Sequence, residues 1–573
     1  NPALRFKISI KSGNKSSDFE TTTDENDCRV WAYGICNIDN TDDFIYGNDI
    51  DEFLNFCRKK ENHNIYFHNL KFDGEFIISR LLNLGFEHIE DKKQKRDKTF
   101  CTLISEMGQF YSIVVYFEVK NKKVNKVTFF DSLKILPFSV DKIAKSFNLE
   151  ISKLKIDYDE KREKGHILTK EEVDYLRNDV TIVAKALRIL FNENLKQMTQ
   201  GSNAIHDFKK MVGDKFTHYF PVLKYEIEHD IRKSYKGGFT YCNPDFQFEN
   251  YGEVGKGIVL DVNSLYPSVM YEKPLPYGEP IYFDGKYQDD FIYDLYVQRL
   301  TCYFNIKTGY IPTIQIKNNF NFKANEYLTS SGDIEPVTLT LTNVDLKLFF
   351  EHYDVEVIEW HGGWKFKSIK GLFCKYIDKW IERKIQAKKD KNGGLYTLSK
   401  LMLNSLYGKF ALNPDVISKF PYLGDDGIVH YRKSEKEVRD GIYIPVGTFI
   451  TAYAREKTIR SAQKVKERFC YSDTDSIHLI GTDLPEELEI DDYKLGAWKL
   501  ETVFDRAKFI RQKCYQEDGH DAGEKDAINE IKTTCAGLPK SCLKHVNWEN
   551  FKIGFSCPDK LVYKHVPRWY CFS

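Results

Sequence analysis

The chain has 573 residues, 42% of them hydrophobic and 29% charged, with Lys+Arg and Asp+Glu balanced at 84 each. A length of this order corresponds to about four domains, and the zero net charge removes any argument from bulk charge for a polyanionic partner, so a basic surface has to be local. The 13 Cys are scattered without a C-x-x-C pair and no apolar run approaches a membrane span, which argues against a structural zinc site, a disulfide framework or a transmembrane protein and points to a reduced cytoplasm.

The N-terminal segment NPALRFKISIKSGNKSS lacks a signal-type apolar stretch. The first third alternates strand-like apolar runs with helical patterns and reads as α/β. Asp18-Phe19-Glu20 follows a short extended segment; residues two apart on a strand face one side, so both carboxylates address one place. Asp73 lies in YFHNLKFDGEF after the apolar run NIYFHN. EEVDYLRNDVTIVAKALRILFNENL has the apolar spacing of a long amphipathic helix, which puts Tyr175 and Asp179, four apart, on one face. Each of these pairs alone reads more readily as side chains solvated at the surface. Together, D-x-E, N-x3-D and Y-x3-D in one α/β unit gather carboxylates that repel one another. Paired Mg²⁺ ions about 4 Å apart would offset that repulsion and perform phosphodiester hydrolysis, with Tyr175 orienting the attacking water. His68, Asn69 and Phe72 flank the second carboxylate and could hold a frayed single strand.

Gly201-Ser202-Asn203 is a boundary signal, and a second α/β region follows at GKGIVLDVNSLYP. Asp261 ends its apolar strand. Residues from about Glu272 to Gly371 are rich in Pro, Gly and Tyr, with short strand signals in YIPTIQIK and VTLTLTNVD. A basic helical stretch, LFCKYIDKWIERKIQAKKDKNGGLYTLSKLMLNSLYGKF, comes next, carrying Lys400, Asn404 and Tyr407 on one stripe at i, i+4 and i+7. Lys384 and Lys400 suit phosphate neutralisation and Tyr407 suits packing on a base; the run Lys388-Lys389-Asp390-Lys391 reads as a solvated face. NPDVISKFPYLGDDGIV is a turn-rich insertion, GIYIPVGTFITAYAR reads as strand-like, and RFCYSDTDSIHLI reads as a hairpin carrying Asp473 and Asp475. A carboxylate ending a buried strand, joined by a distant D-T-D turn, is the arrangement that places acids from different strands around two metals.

At these residues the sequence resembles the family B DNA polymerases. DFETTT, YFHNLKFDG and YLRND are similar to the family's three exonuclease motifs, and DVNSLYP, KLMLNSLYGKF and YSDTDS to its three polymerase motifs. YKGGF, TAYAR and KCY extend the resemblance to the protein-primed, phage phi29-like branch, over almost the whole chain. The resemblance implies a multidomain α/β and α+β fold: an RNase H-like 3′→5′ exonuclease domain (1–199) joined to a right-hand polymerase. Its parts would be palm (200–272 and 444–535), fingers (372–411), thumb (536–573) and two family-specific insertions (273–371 and 412–443) that contact a priming terminal protein. The second insertion would also encircle DNA for processivity and strand displacement.

The same resemblance implies roles for residues. Asp18, Glu20, Asp73 and Asp179 would bind the exonuclease metals, assisted by Tyr175 and Lys153. Thr21, His68, Asn69, Phe72, Ser132 and Leu133 would hold the single-stranded 3′ end. Asp261, Asp475 and the backbone of Val262 would bind the polymerase metals, with Asp473 supporting. Tyr266 would sit under the nucleotide sugar; Lys384, Lys400, Asn404 and Tyr407 would hold the dNTP. Lys513 and Tyr515 would grip the primer, Arg455 would contact DNA, and Tyr235 with Gly237 and Gly238 would relay between sites. The implied cofactor is Mg²⁺ or Mn²⁺, two ions per site, since both suit oxygen ligands. The implied partners are primer-template DNA, dNTPs and a terminal protein, with the polymerase itself a monomer in the cytoplasm of a host cell, copying a linear viral or plasmid-type genome. The chain departs from the family pattern in a longer start before DFE, extra residues near AKKDKNGG, Tyr396 where a basic residue is usual, a shorter segment after Lys513-Cys514-Tyr515, and an unmatched end, LVYKHVPRWYCFS. A family B polymerase extending ordinary primers, or a non-catalytic DNA-binding relic, are the alternatives; retention of all the clustered carboxylates disfavours the second.

Overall fold

The computed structural model describes residues 13–23, 27–59, 62–120, 123–158, 160–315, 326–332, 334–523 and 528–557. The long N-terminal start and the final LVYKHVPRWYCFS lie outside the described residues, and the expected thumb is described only to Cys557.

The first domain is built on an eight-stranded sheet whose strands, counted along the chain, lie in the order 3-2-1-4-8-7-6-5. Asn14–Thr21 pairs antiparallel with Val30–Asn37 and parallel with His63–Phe67, which in turn runs parallel to Lys123–Asp131. The D-x-E alternation holds: Phe19 turns into the core against Phe53 and Phe67, ring centroids 4.9 Å away in both cases, so Asp18 and Glu20 share the other face. The expected long helix is Lys170–Asn192, opened by a Thr169/Glu172 capping box, and it packs over the Asn14–Thr21 and Val30–Asn37 strands. Helix Leu70–Asn83 carries Asp73 in its first turn.

The second domain centres on a seven-stranded sheet in the order Glu530–Cys535, Cys514–Asp521, Trp498–Arg511, Gly257–Val262, Ser476–Ile480, Phe469–Asp473, Thr240–Cys242. The Asp261 strand is therefore interior, hydrogen-bonded on both edges. The basic helical stretch forms helices Cys374–Lys389 and Gly393–Ser405, which pack on one another. The first inserted region is a four-stranded sheet, Leu275–Phe283, Tyr353–Ile369, Leu295–Ile306 and Val337–Thr342. The second consists of the pairs Asp415–Val416/Glu437–Val438 and Lys419–Leu423/Val429–Lys433. Its second pair docks on the first domain: Val429 joins that domain's core and the Tyr431 hydroxyl donates to Glu75 at 2.7 Å.

Two expectations are corrected. The segment GIYIPVGTFITAYAR is not extended; helix Ile444–Lys464 begins there, with Pro445 in its first turn. Its β-branched residues favour strand, but nearly every side chain from Ile444 to Arg455 is buried, so no one-sided stripe remains to betray a helix. Among the described residues a disulfide also occurs, Cys542–Cys557, with Cα atoms 5.8 Å apart; the irregular Cys spacing conceals it. A single apolar core runs from Val180 and Leu187 of the long helix through Leu398 and Met402 to Leu260 beside Asp261. It fixes the two carboxylate clusters in one frame. Among the described residues no helix is long and apolar enough to cross a membrane.

Candidate active sites

The first cluster surrounds a cleft of about 220 Å³ lined by Asp18, Glu20, His68, Asn69, Phe72, Asp73, Lys153, Tyr175 and Asp179. Three distant segments thus deliver their carboxylates to one place. Asp73 accepts a bond from the Phe19 amide at 3.2 Å, which ties the helix to the strand. Lys153 holds one oxygen of Asp179 at 2.7 Å, while Asp179 Oδ1 is buried and without a partner. Burial and the Asp179 charge push the Asp18 carboxyl up to about 7, and burial likewise raises Glu20 and Asp73. For Asp179 burial outweighs the Lys153 bond, so it too is raised; for Lys153 burial is the largest single influence and lowers it, but the bond to Asp179 together with the charges of Asp179, Tyr158 and Asp18 leaves it raised. This is an excess of oxygen donors over positive charge, and it fits a divalent cation. Among the described residues, no three His, Cys, Asp or Glu side chains form a ready-made metal cage.

Burial holds His68 below its ordinary range; its ring lies between the Ser132 hydroxyl at 3.0 Å and the Phe138 carbonyl, to which Nε2 donates, at 2.7 Å. Ser132 is wholly buried and donates to the Phe67 carbonyl at 3.0 Å. It therefore supports His68 from behind, and neither it, Leu133 nor Thr21 lines the cleft. Phe72 is 45% exposed, an accessible ring beside the acids. Tyr158, which sequence patterning did not single out, joins the cleft and meets the Tyr175 hydroxyl at 2.6 Å.

The second cluster lies on the seven-stranded sheet. Asp261 is paired with Ser476, the residue after the D-T-D turn, and the Val262 amide donates to the Asp475 carbonyl at 2.8 Å. Thr474 has a left-handed backbone, φ 66°, which tightens the turn. Asp475 then lines a cavity of about 1110 Å³ with Asp261, Val262, Tyr266, Lys384, Lys400, Asn404 and Tyr407. Asp473 does not line it; it is ion-paired with Lys513 on the other side of the turn. Tyr266 and Tyr407 stack with centroids 3.9 Å apart and 23° between their planes. Burial, Asp475 and Glu501 push Asp261 up to about 8, and burial also raises Asp475. Burial and the Lys400 charge lower Lys384. Acids at one end and ammonium groups at the other match a metal-bound triphosphate. Lys388 lines the same cavity, so the KKDK run is not wholly a solvated face; Tyr396, at 6.0 Å from Lys384 Nζ, and Glu501 line it too.

The Tyr235–Phe239 loop crosses the D-T-D turn. The Phe239 carbonyl accepts from the Thr474 amide at 2.7 Å, and a Cβ on Gly238 would lie 2.6 Å from Thr474 Cγ2, so only glycine permits this approach. Arg455, expected on DNA, is 2% exposed and spends its donors on Asp345 and the Lys236 and Gly237 carbonyls. It holds the loop and is not available to DNA. Tyr515 is likewise buried, packed on Tyr471 at 4.9 Å and His478 at 5.3 Å; Lys513 is the exposed member of that pair.

Comparison with known proteins follows the same lines. Residues 54–169 and 158–492 match the family model described as DNA polymerase type B, organellar and viral. The DNA polymerase of Bacillus phage M2 is 47% identical over 95% of this chain and 96% of its own length. Two solved structures of Phi29 DNA polymerase are each 45% identical and cover 95% of this chain and 96% of theirs. One, with primer-template DNA, superposes at a TM-score of 0.89; the other, with primer-template DNA and incoming nucleotide substrates, at 0.88.

Proposed function

The chain belongs to the phi29-like branch of the type B DNA polymerases, and from that membership we propose that it is a protein-primed replicative polymerase with strand displacement and its own 3′→5′ exonuclease. The observation that carries the proposal is the pair of separate carboxylate clusters, one beside a basic nucleotide-sized cavity and one in a narrow cleft beside an exposed aromatic ring.

Two divalent cations at each site, Mg²⁺ or Mn²⁺, would supply activation of the attacking oxygen and neutralisation of the leaving oxygen. Asp261, Asp475 and the Val262 carbonyl would hold those of the polymerase. Lys384 and Lys400 bind the triphosphate, and the stacked Tyr266–Tyr407 pair forms the floor that sugar and base press against. Asp473 positions Lys513 toward the primer strand. In the cleft, Asp18, Glu20, Asp73 and Asp179 would hold the cations, Tyr175 orients the attacking water, and His68, Asn69 and Phe72 hold the displaced end. The first insertion carries Phe291, 98% exposed, beside Ile292, 56% exposed, an apolar surface suited to a protein partner. We assign it to the terminal protein, in a heterodimer working in host cytoplasm on a linear genome.

The test of priming is direct. The protein is incubated with a linear duplex, labelled dNTP, Mg²⁺ and the terminal protein encoded by the same genome. A labelled, protease-sensitive protein–nucleotide product is expected without any oligonucleotide primer. Extension of oligonucleotides only, with no such product, would make it an ordinary-primer polymerase.

The raised carboxyls also predict a stability signature. Asp18 at about 7 and Asp261 at about 8 stand above their unfolded value. Their contribution to stability is full below about pH 4 and is lost as pH rises through those two values. In EDTA, Tm should therefore fall as pH rises from about 4 to about 8 and level off above that, and Mg²⁺ should raise Tm more at about pH 8 than at about pH 5. The double substitution Asp18→Asn/Asp261→Asn should flatten both trends in scanning calorimetry; an Mg²⁺ effect equal at both pH values would contradict the assignment.

A further inference from the structure

We infer that Asp131 is the positioning residue of the single-strand cleft: one buried carboxylate that ties the lining segment His68–Phe72 to the Ser132–Leu133 turn behind it. The inference rests on the exonuclease reading given above.

Asp131 ends the strand Lys123–Asp131, in register with Phe67 at the end of the neighbouring strand. The two strands stop together; the chain leaves one of them into His68–Phe72, which lines the cleft, and the other into the Ser132–Leu133 turn, which backs it. Asp131 is 1% exposed, and its Oδ1 accepts from the Asn69 amide at 3.1 Å and from the Leu133 amide at 3.0 Å. A single oxygen thus spans the two segments. Asn69 needs such a hold, since its backbone is left-handed, φ 78°, and it caps helix Leu70–Asn83 without any side-chain bond of its own. The carboxylate of Asp131 supplies the acceptor from a different strand. The Lys134 ammonium lies 3.7 Å away and balances its charge. His68, which precedes Asn69, is held by Ser132, which follows Asp131, so the bond pattern is mutual.

Asp131 does not line the cleft and takes no part in chemistry. Asp73, on the same helix, has an independent tie to the Phe19 amide, so loss of Asp131 should loosen the grip on DNA more than it disturbs the acids. Hydrogen bonds to a charged acceptor are among the stronger ones, and a buried amide left unpaired is costly.

The test compares the full chain with Asp131→Ala, Asp131→Asn and Asp18→Ala. Degradation of a 3′-labelled single-stranded oligonucleotide is measured over a range of concentrations, and primer extension at saturating dNTPs serves as a control for folding. For Asp131→Ala, KM should rise about ten-fold or more, with kcat within about three-fold and extension unchanged. Asp131→Asn keeps the Oδ1 acceptor for both amides, and its KM should return to within about three-fold of the parent. The proposal is overturned if Asp131→Ala leaves KM unchanged, if kcat alone falls, if Asn fails to rescue, or if extension falls in parallel. Asp18→Ala separates the two readings: if it still degrades the oligonucleotide, the exonuclease assignment itself fails, whatever Asp131 does.

Discussion

Replacing Asp261 with Asn should reduce primer extension by about 10³-fold or more, on the order of 4 kcal/mol of transition-state stabilisation, while 3′-end degradation continues. The strand carrying Asp261 is interior to its sheet and bonded on both edges, so the substitution cannot be absorbed by moving the backbone. Asn is nearly isosteric, and what disappears is charge. Burial and Asp475 hold the Asp261 carboxyl near 8 in the metal-free protein, so the neutral side chain should be tolerated, and Tm in EDTA should not fall. A variant that folds, binds primer-template DNA and cannot extend it is the expected result. Extension within about ten-fold of the parent, in a correctly folded variant, would remove Asp261 from the site.

Asp18→Ala should have the complementary effect. It opens the centre of the cleft, where Asp18 and Asp179 repel one another and burial raises Glu20 and Asp73 as well. Degradation of a single strand should fall by at least about 10²-fold, with primer extension at saturating dNTPs unchanged, because the polymerase acids stand on a different sheet. A mismatched 3′ end, trimmed by the parent, should persist and be extended slowly or not at all. An equal loss of both activities would mean that the two clusters are not independent sites.

That these acids come together in two clusters was legible in the sequence for a specific reason. Asp18 and Glu20 obey strand alternation, Tyr175 and Asp179 obey helix spacing, and Asp261 and Asp475 sit where an apolar strand ends and a tight turn begins. Each local rule survives folding because the element it assumes is the element that forms. Arg455 and Tyr515 illustrate the opposite. Both belong to segments that touch the site, but the direction of the side chain is set by tertiary contacts, Asp345 for one and the Tyr471–His478 aromatic cluster for the other. Helix Ile444–Lys464 was hidden by burial on all sides. Asp131 ends the apolar run VTFFD as Asp261 ends GIVLD; the same signal stood in both places, and only the partner amides reveal its use.

The Tyr431–Glu75 bond and the shared core at Val429 join the second insertion to the first domain, and strand displacement by the proposed polymerase is the property that remains to be measured. Primer extension on a singly primed circular template, with Mg²⁺ and four dNTPs, tests the whole account in one reaction. The parent should make product longer than one circle, Asp261→Asn none, and Asp18→Ala the same long product without 3′-end trimming. Arrest of the parent at one circle would contradict strand displacement, and synthesis by Asp261→Asn would contradict the two-site assignment itself.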